Sequence, residues 1–336
     1  MKILITGGSG FLGARLARSL LQRGELSLRG APAARIDRLV LTDRAPLPAD
    51  LAADPRVEQA QGDLLALLND KGLPLAATDA VFHLAAAVSG ECEADFDLGM
   101  RSNLQATQAL LEACRALGTQ PVFVFSSSLA VFGCLPGRTL PATIEDETLP
   151  TPQGSYGIQK FISEQLVADY TRKGFIAGRS ARLMTVSVRP GQPNGAASGF
   201  FSGMFREPLA GQRARVPVPP ETPVALASPT RTIEGLLFAA EAADAQWGPP
   251  IALNLPSLPT TVGAMADALA RVAGPAATEL LDWTPDESIL RLVRGWPGHF
   301  DWRRARAMGL QADPDVDAVL RDYIRENPRA VVLPLR

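Results

Sequence analysis

The sequence predicts an α/β protein with a doubly wound parallel sheet, followed by a smaller mixed α/β lobe. Short apolar runs alternate with helical stretches through the first half, and parallel strands need such crossover connections. A glycine-rich turn separates the first apolar run from the first helix, and after Arg189 the chain becomes rich in glycine, proline and serine. The 336 residues, 46% of them hydrophobic, can form one large domain or two unequal ones.

The elements are expected in alternating order. Strands are predicted at residues 2–6, 36–41, 80–84, 122–125, 181–188 and 251–255, with a further short strand before Gly62. Helices are predicted at residues 11–22, 94–117, 153–171, 230–242, 262–272 and 313–325. We expect residues 1–189 to form the larger domain, with segments near 225–255 returning to it. Residues 190–224 and 256–336 are expected to form the smaller lobe.

Composition argues against several classes of function. A net charge of −2 disfavours a nucleic-acid partner, and no apolar run is long enough for a membrane span. The N-terminus lacks the apolar region of a signal peptide. Because Cys92, Cys114 and Cys134 show no Cys-x-x-Cys spacing, we expect neither disulfides nor a metal site, and a reducing cytoplasm as location. His83 and His299 are too few for a catalyst built on several histidines.

The glycine-rich turn carries the first functional signal. Gly7, Gly10 and Gly13 form a Gly-x-x-Gly-x-x-Gly pattern that ends the first strand and opens the first helix. Glycines allow a tight turn and close approach of a pyrophosphate, and the free N–H groups of the helix, near Phe11 and Leu12, attract its charge. This context favours a Rossmann-type dinucleotide site over a glycine turn without a ligand.

Two acidic residues follow the next strands. Asp43 can accept hydrogen bonds from the adenosine ribose, which favours NAD, whereas the neighbouring Arg44 would tolerate the 2′-phosphate of NADP, so NADP stays the weaker alternative. The alternative role of Asp43 is a turn residue. Asp63, followed by Leu64, is expected either to bind the adenine amino group or to cap a helix.

Small residues end the fourth strand. Leu84, Ala85 and Ala86 let the backbone pack against a bound coenzyme. The preceding His83 has no nucleophile to pair with, so a structural role is favoured over a catalytic one.

A serine-tipped strand and a Tyr-x-x-x-Lys spacing indicate catalysis. Ser126 and Ser128 end the fifth strand, and Tyr156 and Lys160 share one face of the following helix. A phenol has a pKa of ~10, which a nearby ammonium lowers. Tyr156 would then take a proton from an alcohol while hydride leaves for a nicotinamide, with Ser128 orienting the hydroxyl. The spacing alone would be ordinary surface chemistry, and its weight comes from agreement with the glycine turn.

These motifs together resemble the extended short-chain dehydrogenase/reductase family, the NAD-dependent epimerase/dehydratase group. The resemblance covers nearly the whole chain and implies Ser128, Tyr156 and Lys160 as the catalytic triad. It implies Asn103 beside the cofactor, with Pro190 and Gln192 close to the nicotinamide. It also implies a homodimer built on the helices at 94–117 and 153–171.

A narrower resemblance concerns residues 87–99, 187–194, 200–203, 206–211 and 295–297, which are similar to sugar-acid dehydrogenases of this family. It implies NAD-linked oxidation of a four-carbon sugar acid at C2. The expected substrate residues are Ser89, Gly90, Ser128, Tyr156, Asn194, Ser202, Arg206 and Arg231, with Arg189 and His299 as further candidates. A solvated or capping role is an equal alternative for Arg206 and Arg231.

Two rival functions stay open. A sugar-nucleotide epimerase of the family uses the same base but returns the hydride, so it accumulates no NADH. The family's dehydratases usually carry Thr-Asp-Glu where this chain has three serines ending at Ser128. A regulator that binds dinucleotide without turnover is disfavoured, because such relatives typically lose the tyrosine or the lysine.

Overall fold

A computed structural model describes residues 1–191 and 196–333 of the chain. The predicted Gln192 and Asn194 lie outside the described residues. In chain order the strands are β1 (Lys2–Thr6), β2 (Glu25–Leu26), β3 (Ala34–Arg35), β4 (Arg38–Asp43), β5 (Val57–Gln61), β6 (Ala80–His83), β7 (Val122–Ser128), β8 (Ala177–Leu183), β9 (Thr185–Val186), β10 (Ala214–Val216), β11 (Pro223–Ala227), β12 (Leu253–Asn254), β13 (Leu258–Thr261) and β14 (Leu281–Trp283).

The α-helices vary from single turns to the 18 residues of α7. They are α1 (Phe11–Arg23), α2 (Ala49–Ala52), α3 (Leu64–Asn69), α4 (Ser89–Ala94), α5 (Phe96–Gly99), α6 (Ala106–Leu117), α7 (Ser155–Arg172), α8 (Gly199–Leu209), α9 (Pro229–Glu241), α10 (Asp244–Trp247), α11 (Val262–Ala273), α12 (Pro275–Thr278), α13 (Glu287–Arg294), α14 (Arg303–Ala307) and α15 (Val316–Glu326). Within the described ranges, no helix is long and apolar enough to cross a membrane.

The main sheet has seven parallel strands in the order β12-β8-β7-β6-β1-β4-β5. Side chains alternate between its faces, so Ile3 and Ile5 pack with α1 and α9, whereas Leu4 packs with α6 and α7. Both faces are therefore buried beneath helices. The predicted doubly wound parallel sheet is confirmed.

The smaller lobe has a hydrophobic core of its own. Phe205, Met265 and Leu320 are fully buried there, where α8, α11 and α15 pack together. Helix α9 and β12 return to the main sheet, in keeping with the expected return near 225–255. Ala305 and Leu310 also pack into the core of the main sheet. The predicted boundary, which gave all of 256–336 to the smaller lobe, thus differs from the packing around α14.

The helical stretch predicted at 94–117 is helical from Phe96 onwards, as α5, a π-helix at Met100–Gln105, and α6, whereas Ala94 is the last residue of α4. Asp95 ends α4 and caps α5 by accepting a hydrogen bond from the backbone N–H of Leu98 at 2.9 Å. A Cβ atom on Gly99 would stand 2.6 Å from the side-chain nitrogen of Gln159, so a larger residue there would displace that buried side chain of α7.

Candidate active site

One continuous cavity of about 420 Å³ runs along the carboxyl ends of the strands. Residues that follow or end β1, β4, β5, β6, β7 and β8 line it, as expected for ligand sites of doubly wound sheets. The predicted residues that line it are Gly7, Gly10, Phe11, Leu12, Gly13, Asp43, Asp63, Leu64, Leu84, Ala85, Ala86, Ser89, Ser126, Ser128, Tyr156 and Lys160. Residues that chain patterns did not single out also line it, including Ser102, Met184, Thr185, Ser198 and Trp296.

The glycine turn fits a dinucleotide pyrophosphate. A Cβ atom on Gly13 would lie 2.0 Å from the carbonyl oxygen of Gly7, and one on Gly7 would lie 2.9 Å from the backbone nitrogen of Ala85. Gly7 also has a φ of 72°, which favours glycine. No side chain caps α1, so its first-turn N–H groups remain available for a phosphate.

The adenosine end of the cavity is acidic. Asp43 accepts hydrogen bonds from the backbone N–H groups of Ser9 at 3.0 Å and Ala45 at 3.1 Å, which fixes its carboxylate at the end of β4. Asp63 accepts one from the N–H of Ala66 at 3.2 Å and is therefore a helix cap as well as a cavity residue. Arg44 is exposed beside Asp43. Both carboxylates therefore line the cavity, and their contacts with ribose and adenine stay predictions.

His83 and Asn103 act inside the protein. His83 bridges the hydroxyls of Thr6 at 2.7 Å and Thr107 at 2.8 Å, and burial lowers its pKa to about 3, so it is a neutral structural residue. The side chain of Asn103 binds both backbone groups of Ala87 and the side chain of Gln159. Asn103 does not line the cavity, so the predicted cofactor contact is corrected to bracing of the loop after β6.

The catalytic candidates meet at the middle of the cavity. Ser128, Tyr156 and Lys160 all line this part of the cavity. The Nζ atom of Lys160 donates to the carbonyl of Ser126 at 2.8 Å and lies 5.7 Å from the centre of the Tyr156 ring. The structure therefore brings together the serine, tyrosine and lysine that the sequence places on β7 and α7.

Burial changes the acidity of both catalytic candidates. Burial raises the pKa of Tyr156 to about 12, while the hydrogen bond from Ser128 and the charge of Arg189 act in the opposite direction. Burial lowers the pKa of Lys160 to about 8, and the negative charge of Glu164 opposes that shift. A phenol in this setting needs further positive charge to become a base at neutral pH.

A buried ion pair supports this part of α7. Glu164 and Arg182 have side chains only 2% and 4% exposed, and two nitrogens of Arg182 donate to the Glu164 carboxylate, each at 2.9 Å. Ser127 donates its hydroxyl to the same carboxylate. Because Glu164 is one turn beyond Lys160, the pair ties the catalytic helix to β7 and β8.

The far end of the cavity is lined by Arg189 and by Ser198, which precedes α8. Arg189 donates from Nε to the carbonyl of Val186 at 3.0 Å and from Nη2 to the hydroxyl of Ser198 at 3.1 Å. Its backbone N–H donates to Ser202 at 3.0 Å, and its carbonyl accepts from Arg206 at 2.9 Å. Ser202 and Arg206 thus hold Arg189 and do not line the cavity.

Other predicted substrate or coenzyme residues are also outside the cavity lining. Arg231 forms an ion pair with Glu234 one turn along α9, which is the capping or surface role weighed above. Gly90 and Pro190 adjoin lining residues without lining the cavity themselves. His299 is exposed and hydrogen-bonds to Thr143. The structure thus places these four positions outside the cavity lining, and a substrate or coenzyme role for them stays a prediction.

Comparisons with known proteins agree with this geometry. The model of the NAD dependent epimerase/dehydratase family matches residues 3–247. The chain is 49% identical to D-erythronate dehydrogenase of Cupriavidus necator, over 97% of this chain and 98% of that protein. It is 40% identical to D-erythronate dehydrogenase of Haemophilus influenzae, over 96% and 99%. The solved nucleoside-diphosphate-sugar epimerase of Agrobacterium tumefaciens has a TM-score of 0.87 and 39% identity, covering 98% of this chain and 95% of that one.

Proposed function

Because this chain belongs to the NAD-dependent epimerase/dehydratase family, we propose that it oxidises a short sugar acid, D-erythronate, at C2 to 2-oxo-tetronate. The observation that carries the proposal is that Ser128, Tyr156 and Lys160 line one cavity together with the glycine turn, with Lys160 held by the carbonyl of Ser126. The choice of D-erythronate as substrate rests on two relatives that carry the name D-erythronate dehydrogenase and are similar over almost their whole length.

Each residue of the site has its own role in the proposed reaction. Tyr156 takes the proton of the C2 hydroxyl through its phenolate oxygen, and Ser128 orients that hydroxyl. Lys160, held by the carbonyl of Ser126, keeps a positive charge beside the Tyr156 ring. When bound, NAD accepts the hydride from C2, and its positively charged ring favours the phenolate. Asp43 would select NAD over NADP by binding the ribose hydroxyls.

The test uses purified protein with D-erythronate, other four- to six-carbon aldonates, and both NAD and NADP. We expect NADH to accumulate with D-erythronate, because the oxidised product leaves. Tyr156→Phe should lower kcat by roughly 100- to 10,000-fold, since only proton transfer is removed, while NAD binding measured by fluorescence persists. Retained kcat in this variant would contradict the mechanism.

Tyr170→Phe is the matched control. Tyr170 lies on the same helix but donates its hydroxyl to Glu112, away from the cavity. Its removal should leave kcat unchanged. Interconversion of sugar nucleotides without net NADH would instead identify an epimerase, and coenzyme binding without turnover of any substrate would favour a regulator.

We also propose a homodimer and a cytoplasmic location, which stay predictions. Ile158 and Ile162 are 45% and 39% exposed on one face of α7, and Phe96 is 61% exposed beside α4. These apolar side chains suit contact with a second copy of the chain. Cys92, Cys114 and Cys134 are free thiols, which suits a reducing compartment. Sedimentation of the wild type and of Ile158→Glu would test the dimer, which the variant should weaken.

A further inference from the structure

The two ends of the cavity differ in charge. Among the described residues, the acidic side chains that line it are Asp43 and Asp63, both at the adenosine end. The lining cations are Arg44, Lys160 and Arg189. Arg44 is exposed next to Asp43, and Lys160 is engaged with a backbone carbonyl of β7. Within the described part of the chain, Arg189 is a lining cation without a carboxylate partner at the end where the reaction would occur.

Arg189 differs from the other arginines of the molecule. Of those that the structure describes and that are at least partly buried, it alone forms no ion pair with a carboxylate. Its Nη1 atom has no hydrogen-bond partner within residues 1–191 and 196–333, whereas Nε and Nη2 are both engaged. Burial lowers the pKa of its guanidinium, as expected for a charge without a compensating anion. An incoming anion would supply that compensation.

The position of Arg189 is fixed before any ligand binds. Ser202 accepts its backbone N–H at 3.0 Å, and Arg206 donates to its carbonyl at 2.9 Å. Both residues lie on α8, and they are only 1% and 9% exposed. The hydrogen bond to Ser198 holds the guanidinium itself. A preorganised cation of this kind binds a carboxylate with little loss of side-chain entropy.

We infer that Arg189 binds the carboxylate of the substrate and thereby restricts oxidation to the hydroxyl carbon next to it. The inference rests on the proposed function. In a 2-hydroxy acid the reacting carbon is bonded to the carboxylate carbon, so the cation must lie close to the base. Arg189 meets this requirement, because it lines the same cavity as Tyr156 and its guanidinium is held there by Ser198. The site would accordingly accept 2-hydroxy acids and discriminate against neutral polyols of the same length.

The test compares D-erythronate with its amide, D-erythronamide, which keeps every hydroxyl and loses the negative charge. The measured quantity is the ratio of kcat/KM for the acid to that for the amide. This ratio cancels any effect of Arg189 on the acidity of Tyr156, because both substrates need the same base. Arg231→Gln is the control, since Arg231 is a half-buried, ion-paired arginine outside the cavity.

We expect Arg189→Gln to reduce the ratio by about 10- to 100-fold, as for the loss of charge-assisted hydrogen bonds. Arg189→Lys keeps the positive charge but lacks the planar guanidinium, so it should give an intermediate ratio. This variant also tests the inference if Arg189→Gln does not fold. The ratio in Arg231→Gln should equal that of the wild type. An unchanged ratio in both Arg189 variants would overturn the inference. Failure of the wild type to oxidise any aldonate would instead refute the proposed function.

Discussion

The buried pair between Glu164 and Arg182 allows a sharp prediction about stability. Replacing Glu164 by Gln removes the negative charge but keeps the shape of the side chain. Arg182 would keep its hydrogen bonds to the carbonyl of Asp146 at 3.0 Å and to Asn254 at 3.4 Å, and its position over the Phe132 ring. The Asp146 carboxylate interacts electrostatically with Arg182, but its hydrogen bonds go to Asn254 and Arg304. The substitution therefore leaves a guanidinium that is 4% exposed without the carboxylate that binds it.

The expected loss of stability follows from this burial. Removing one partner of a buried ion pair costs about 3–5 kcal/mol, because the other charge stays desolvated. For a chain of 336 residues the entropy of unfolding is roughly 0.7 kcal/mol per kelvin, so a cooperative transition should fall by about 4–7 °C. The amide oxygen of the new glutamine can still accept the hydrogen bond from Ser127. The loss of stability should therefore fall towards the lower end of this range.

Chemical denaturation and calorimetry of Glu164→Gln would measure this loss. Asp169→Asn is the matched control, because it is the same change on the same helix, in an ion pair with Arg172 whose side chains are 56% and 65% exposed. Exposed pairs contribute less than about 1 kcal/mol. If Glu164→Gln destabilised the protein no more than Asp169→Asn, the reasoning from burial would be wrong.

Three further substitutions test the site. Lys160→Met should move the rising limb of kcat/KM towards higher pH, because without the ammonium the pKa of Tyr156 increases; an unmoved limb would exclude Lys160 from tuning the phenol. Asp43→Ala should reduce the ratio of kcat/KM with NAD to kcat/KM with NADP. The same ratio in the wild type and the variant would show that Asp43 does not bind the ribose. Gly13→Ala should lower the midpoint of thermal unfolding and weaken NAD binding more than Gly10→Ala does. A Cβ atom at position 13 would lie 2.0 Å from a backbone oxygen, whereas one at position 10 would lie 3.1 Å away. Equal effects of the two substitutions would contradict the packing argument.

Much of the coenzyme and catalytic site could be predicted because its residues sit at fixed points of regular elements. Carboxyl ends of parallel strands meet at one edge, so Gly7, Asp43 and Ser128 had to lie along a common line. Tyr156 and Lys160 share a helix face through their spacing of four. Neither argument needs tertiary packing. The break at Asp95, between α4 and α5, was missed because it depends on one extended residue that caps the second helix, which helical periodicity does not reveal.

The substrate end was harder to predict because residue type is a poor guide there. Arg206 and Arg231 were chosen for charge, yet the packing of the smaller lobe directs Arg206 to a backbone carbonyl, and a neighbouring acid on α9 takes Arg231. Arg189 is also an arginine, but it follows β9, just past the carboxyl edge where the other site residues lie. Position relative to the strand ends therefore distinguishes Arg189, which lines the cavity, from Arg206 and Arg231, which do not. The same criterion explains why Ser89, directly after the loop that follows β6, lines the cavity, whereas Ser202, buried within α8, does not.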